Sequence, residues 1–165
     1  MIDKIFWVIL LTFVPSLESR VSIPVGIYSG TIKTTFFTFN GFAMDPLTVL
    51  IIVILANIIL GPIAYFFATR IVGFFTRYGF IKKIYDWWCS KLMKKKAFVD
   101  RYGILAIIFF VGMPLPGSGS WGGAFSASIL NIRFRDYFIG NTIGVIIAAI
   151  LVTFIVLGAF TFLGI

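Results

Sequence analysis

The chain has 165 residues, 60% of them hydrophobic and 12% charged, with a formal charge of +8. A mean hydropathy of +1.06 excludes an ordinary soluble domain and places the chain among integral membrane proteins. Histidine is absent and cysteine occurs once, as Cys89, which excludes histidine metal sites, histidine proton relays and a disulfide framework; no metal or cofactor is expected.

The first apolar stretch runs from Ile5 to Ile32 and is interrupted by charge only at Glu18 and Arg20. Ile5–Val14 after Lys4 imitates a secretory leader, but no A-x-A-like site follows, so cleavage is not expected. Pro15, Pro24 and Gly26 break the stretch around its two charges. Proline removes a backbone donor and clashes one turn back. A bilayer core admits irregular backbone only inside protein or along a cavity. The pieces on either side, about 10–14 residues each, have the length of re-entrant segments, so a helical hairpin is predicted over about 5–32.

Pro46–Thr69 is uncharged and exceeds the roughly 20 residues needed to cross a bilayer; a spanning helix is predicted over 46–69. Between Arg70 and Arg101 lie nine of the fourteen Lys and Arg residues. This is the positive-inside signature of a cytoplasmic loop, a simpler source of the charge than nucleic-acid binding. Ile71, Phe74, Phe75, Tyr78, Ile81, Tyr85 and Trp88 recur mostly at three- and four-residue spacing, predicting amphipathic helices that lie in the interface. Trp87 and Trp88 suit the headgroup level, and Lys94, Lys95 and Lys96 suit anionic lipid.

Tyr102–Ile132 is again uncharged and again broken in its middle, at Pro114-Leu-Pro-Gly-Ser-Gly-Ser-Trp-Gly-Gly123. A second hairpin over about 102–132 returns Arg133 and Arg135 to the basic side, as the positive-inside rule prefers. Tyr137–Ile165 reads as a second span. The expected fold is an all-α integral membrane protein of one domain, 1–165, built as an inverted repeat. Each repeat is a re-entrant helical hairpin plus a transmembrane helix, over 1–69 and 102–165, with the cytoplasmic interfacial loop 70–101 between them. Paired broken segments in two halves point to a transporter's binding site. Ala56-Asn57 and Gly140-Asn141 fall at similar places in the two spans.

Glu18 and Arg20 are the charges deepest in an apolar stretch. Each costs at least about 2.5–3.5 kcal/mol at mid-membrane, so functional use is the default reading. Glu18 suits a proton or cation, and the planar fork of Arg20 suits phosphate or carboxylate. The structural alternative is that the two hold each other, or hold freed backbone groups. Gly117, Ser118, Gly119 and Ser120, followed by a helix near Trp121, suit an anion site, although no Lys-Ser/Thr completes a P-loop; a tight hairpin tip is the alternative. Pro24 and Pro116, which frame the two breaks, and Trp121 complete the candidate substrate- or ion-binding residues. Asn57 and Asn141 line a cavity or bond between helices. Gly140 and Gly144 form a small-xxx-small packing pattern. No nucleophile–base constellation is present, so an enzyme is not expected.

Pro15, Glu18, Arg20, Pro24 and Gly26, with Tyr102, Gly103, Pro114, Leu115, Pro116, Gly117, Gly119, Trp121 and Gly123, resemble the signatures of the small multidrug export family. Ser118 and Ser120 stand where that pattern has Thr and a small residue. The family looks related to the DedA superfamily, which places an arginine in the second hairpin where this chain has Ser118 and Ser120. The resemblance implies proton- or ion-coupled transport, or movement of lipids such as polyprenyl phosphates between leaflets. The expected function is a proton-coupled transporter or flippase of an amphipathic or anionic substrate such as a lipid phosphate. A proton-coupled exporter of small cations or drugs is one alternative; a non-transporting assembly or lipid-organising factor is another. Expected partners are anionic membrane lipids, the substrate and a second copy of the chain, but no nucleic acid.

Overall fold

The computed structural model describes residues 2–15, 17–33, 38–75, 96–115 and 117–163. Among the described residues six helices carry the fold: α1 Ile2–Phe13, α2 Glu18–Ile27, α3 Pro46–Phe75, α4 Lys96–Gly112, α5 Ser120–Ile129 and α6 Phe134–Leu163. Two short strands, β1 Thr31–Lys33 and β2 Thr38–Asn40, pair antiparallel with Thr31 opposite Asn40. The ladder is a small addition to the all-helical fold that the sequence predicts. It has a backbone cause: the chain returning from β2 donates to the carbonyls left open at the end of α2. Phe42 N–H bonds Val25 O, Met44 N–H bonds Gly26 O and Ala43 N–H bonds Tyr28 O, each at 2.9 Å. A helix C-terminus in apolar surroundings needs such partners.

Both helix–break–helix units appear where prolines and glycines interrupt the apolar stretches. The long helices start and stop differently from the charge-free windows. α3 continues past Arg70 to Phe75, α4 begins at Lys96 and α6 begins at Phe134. Charge marks where apolar sequence ends, whereas the helix ends where backbone hydrogen bonding ends. At α3 the start is legible: Asp45 caps through Oδ2 to the Thr48 N–H at 3.0 Å, and Pro46 fills the first helical position. The predicted interfacial helices fall mostly on residues 76–95, with Trp87, Trp88, Lys94 and Lys95, which lie outside the described residues.

α3 and α6 run antiparallel. Tyr65 stacks on Tyr137 with centroids 5.1 Å apart. Val49 and Val53 share a buried cluster with Ala149, Val152 and Val156, joined by Val8 and Ile23. A second cluster joins Ala64 and Ala68 to Ile107, Val111, Ala124, Ala127 and Tyr137. Asn57 and Gly61 of α3 lie between the two clusters. In each half the two arms of the helix–break–helix unit touch, and both pack on that half's long helix. α2 also packs on α6, and α5 on α3.

The two long helices have a mean hydropathy of 2.7, yet only 39% and 33% of their apolar windows are buried. A soluble core helix would be mostly buried. Here Leu47, Ile51, Leu55, Ile59, Ile63 and Phe67 form an exposed stripe at four-residue spacing along α3. Such a large uncharged face marks a membrane or an interface.

Gly140 and Gly144 let α4 approach α6. A Cβ on Gly144 would lie 2.8 Å from Val111 Cβ and 3.1 Å from Ile108 O, and one on Gly140 2.9 Å from Ile107 Cβ. Gly144→Ala is therefore expected to destabilise by about 1–3 kcal/mol through overpacking. Gly158→Ala, which meets nothing within 4 Å, should be neutral or stabilising by about 0.5–1 kcal/mol. Melting of the two variants in detergent should give opposite signs.

Candidate functional site

Breaking two helices inside an apolar body creates four helix ends, and each end has open N–H or C=O groups. The two breaks meet and satisfy one another. Glu18, the first residue of α2, reaches the start of α5. Its Oε2 accepts the Ser120 N–H at 3.0 Å and its Oε1 accepts the Trp121 N–H at 3.2 Å. A carboxylate there completes two amides and faces the positive end of the helix dipole. Arg20 reaches the other side of the same break. Its Nη2 donates to Ser118 Oγ at 2.7 Å and to Met113 O, just past the end of α4, at 3.3 Å. Ser118 Oγ also donates toward Met113 O and Leu115 O. In return, the Trp121 indole N–H donates to Phe13 O at 3.2 Å, closing the end of α1.

The carboxylate fits because Gly119 lacks a side chain; a Cβ there would overlap the Glu18 carboxylate. Glu18 itself adopts a left-handed φ of 38°, which costs a non-glycine residue about 1–3 kcal/mol. Its carboxylate contacts offset that strain. Gly117 takes φ +79° at the tip of the second break, a conformation that glycine adopts freely.

Of the residues singled out in the sequence, Glu18, Arg20, Ser118, Gly119, Ser120 and Trp121 form one assembly. Asn57 joins it: its Oδ1 accepts from Ser120 Oγ at 3.5 Å and its Nδ2 donates to Val53 O at 3.0 Å. Glu18 is 3% exposed and Ser120 fully buried. Gly117 is exposed and Pro24 is half-buried within α2; neither contacts the carboxylate. Pro116 lies outside the described residues. Asn141 lies against Gly61. Glu18 and Arg20 are therefore spent on freed backbone and on Ser118, rather than on an ion pair with each other. The amides of Ser120 and Trp121, expected to meet an external anion, hold the carboxylate of Glu18. Nη1 and Nε of Arg20 are buried with no protein partner.

Sequence reading missed Tyr137. Its hydroxyl lies 3.0 Å from Ser120 O and 3.3 Å from Gly61 O, linking α6 to both α5 and α3. Helical spacing contained the signal: Tyr137 is one turn before Asn141 and Gly61 one turn after Asn57, on the same two faces. Among the described residues, no group of three or more His, Cys, Asp or Glu is placed to hold a metal.

A family model described as putative small multi-drug export protein matches residues 18–151. The chain belongs to that family. The match begins at Glu18, just after the first break, and takes in the second break, all of α3 and most of α6; together with the exposed apolar faces of those two helices it supports a membrane location. No curated protein and no solved structure matches the exporter-family chain.

Gly119→Ala and Glu18→Gln remove the same contacts by different routes. Each should lower stability by roughly 1–3 kcal/mol. In a double-mutant cycle the pair should cost clearly less than the sum, read as melting temperatures of the four proteins. Full additivity would separate Gly119 from the Glu18 cap.

Proposed function

We propose that this protein is a proton-coupled transporter whose substrate carries an oxyanion, with a lipid phosphate of the polyprenyl type as the substrate class. The observation that carries the reading is the placement of a buried carboxylate on two helix-end amides beside a guanidinium with two uncommitted nitrogens. A proton on Glu18 replaces an acceptor with a donor facing N–H groups, so it loosens the carboxylate from Ser120 and Trp121. Those amides and Arg20 then suit a substrate oxyanion, chemically similar to the group they hold now. Proton and substrate thus favour the same opened arrangement.

In this reading the two helix–break–helix units are re-entrant hairpins, and α3 and α6 cross the membrane in opposite senses. The repeated packing pattern of the halves, and the crossing of α2 onto α6 and α5 onto α3, support an inverted repeat. Residues 70–101 then lie in the cytoplasm, where Lys94, Lys95 and Lys96 meet anionic lipid. Lipid or a second copy covers the exposed apolar stripe of α3. Export of small cations or of drugs, the latter named in the family description, fits less well. Glu18 is the acid at the centre, and both its oxygens are already bonded.

The test is transbilayer movement of a short-chain fluorescent polyprenyl phosphate in proteoliposomes, with and without a pH gradient. Wild type should respond to the gradient. Glu18→Gln should lose that response, and Arg20→Ala should lose movement, each by at least about tenfold, the equivalent of one charge-assisted hydrogen bond. Movement no faster than in empty liposomes would sink the lipid reading. It would favour a non-transporting, lipid-organising role, in which Glu18 and Arg20 only hold the two breaks together.

A further inference from the structure

In the helices of this protein a polar side chain ordinarily returns to the carbonyl one turn back. Thr12 bonds Val8 O, Ser22 bonds Glu18 O, Asn57 bonds Val53 O and Thr153 bonds Ala149 O, at 2.7–3.0 Å. This is the cheapest way to satisfy such a group in apolar surroundings. Asn141 and Thr142 of α6 do not do it. Asn141 is fully buried, yet both its Oδ1 and its Nδ2 lack a partner, as does the buried Oγ1 of Thr142. A buried amide without partners is costly, and each such group in a native structure calls for a reason.

The surroundings of Asn141 are polar. Its Nδ2 and the Tyr137 hydroxyl both lie within 4 Å of the point where a Cβ on Gly61 would stand, at 2.6 and 3.9 Å. Tyr137 has one proton to share between Gly61 O and Ser120 O. Pro62 has no N–H, so the Ile58 carbonyl loses its usual helical donor. Asn141 thus offers a donor in Nδ2 and an acceptor in Oδ1, beside Gly61 and the Tyr137 hydroxyl. A ligand must both accept and donate to satisfy it. A bare alkali cation cannot accept from Nδ2, and an oxyanion cannot donate to Oδ1. Water does both, and two to four polar partners are what a buried water requires.

We infer that Asn141, with Gly61 and Tyr137, forms an internal hydration site that carries the proton toward Glu18. The inference rests on the proton-coupled reading above. This site adjoins the Glu18 assembly through Tyr137, which bonds the carbonyl of Ser120, whose own N–H bonds Glu18. A proton that reaches the water there and passes on to a Glu18 oxygen turns the carboxylate into the neutral acid and leaves water behind.

Glu18 is the only glutamate in the chain, so its carboxylic-acid C=O band can be assigned by difference from Glu18→Gln. The experiment is a rapid drop in pH on the full chain in lipid nanodiscs, following the rise of that infrared band. In Asn141→Leu, a similar-sized apolar residue, the band should rise on the order of tenfold more slowly, a barrier increase of one lost hydrogen-bonding step. The variant should melt no lower than wild type, because it buries no orphaned amide. Asn141→Ser keeps a polar site and should stay within about twofold of wild type. A wild-type rate in Asn141→Leu would overturn the inference and leave Asn141 a packing residue. A rate that follows sodium concentration and loses that dependence in Asn141→Leu would also overturn it, in favour of a cation site. Absence of the band in wild type would sink the proton-coupled reading itself, a different failure from an unchanged rate.

Discussion

The structure depends on one constraint: four helix ends meet inside an apolar body, where water is not at hand to complete them. An unpaired backbone group in such a place costs several kcal/mol. The chain resolves this by letting each break cap the other. Glu18 supplies acceptors to the start of α5, Arg20 supplies donors past the end of α4, and Trp121 supplies a donor to the end of α1. The two charges are therefore as much structural as chemical. Neither could be replaced by an apolar residue without leaving backbone groups open, so their isolation in an apolar sequence follows from the breaks themselves.

The same logic places the polar groups between two apolar clusters. Val49 and Val53 on one side and Ala64 and Ala68 on the other bury α3 against its neighbours. Asn57 and Gly61, which lie between them, face Ser120, Tyr137 and Asn141. Small residues make this possible. Gly119 admits a carboxylate, Gly61 admits an amide, and Gly140 and Gly144 admit α4. Here the glycines serve close approach more than flexibility.

Much of this was legible in the sequence, for identifiable reasons. Prolines within apolar stretches mark breaks because they remove donors, and the uncharged run from Pro46 marks a long helix because it exceeds the length a bilayer needs. The isolation of Glu18 and Arg20 marked them as a pair with work to do. Their partners were not legible. Glu18 meets amides 102 residues away, and a choice at that distance is set by how the helices pack, not by local pattern. The strand pair was hidden for a related reason: it answers to the open carbonyls of α2, which hydropathy does not register. Tyr137 was passed over because an aromatic residue at the start of an apolar helix looks like an interface anchor, and only the fold turns its hydroxyl inward.

The cross-capping also constrains how the molecule can move. Hydrogen bonds to charged groups contribute about 1.5–3 kcal/mol each, and four of them join Glu18 and Arg20 to the second break. Shifting a two-state equilibrium from 1:99 to 99:1 takes about 5.5 kcal/mol, which is comparable to breaking two or three such bonds without replacement. Spontaneous separation of the breaks is therefore rare, and a ligand that replaces the lost partners can make it common. A proton alone removes the claim of Glu18 on Ser120 and Trp121 but leaves their N–H groups open. An oxyanion alone must displace a carboxylate already in place. In the proposed transport reading the two together give the Ser120 and Trp121 N–H groups new partners, and this mutual requirement is what coupling between two ligands means in energetic terms.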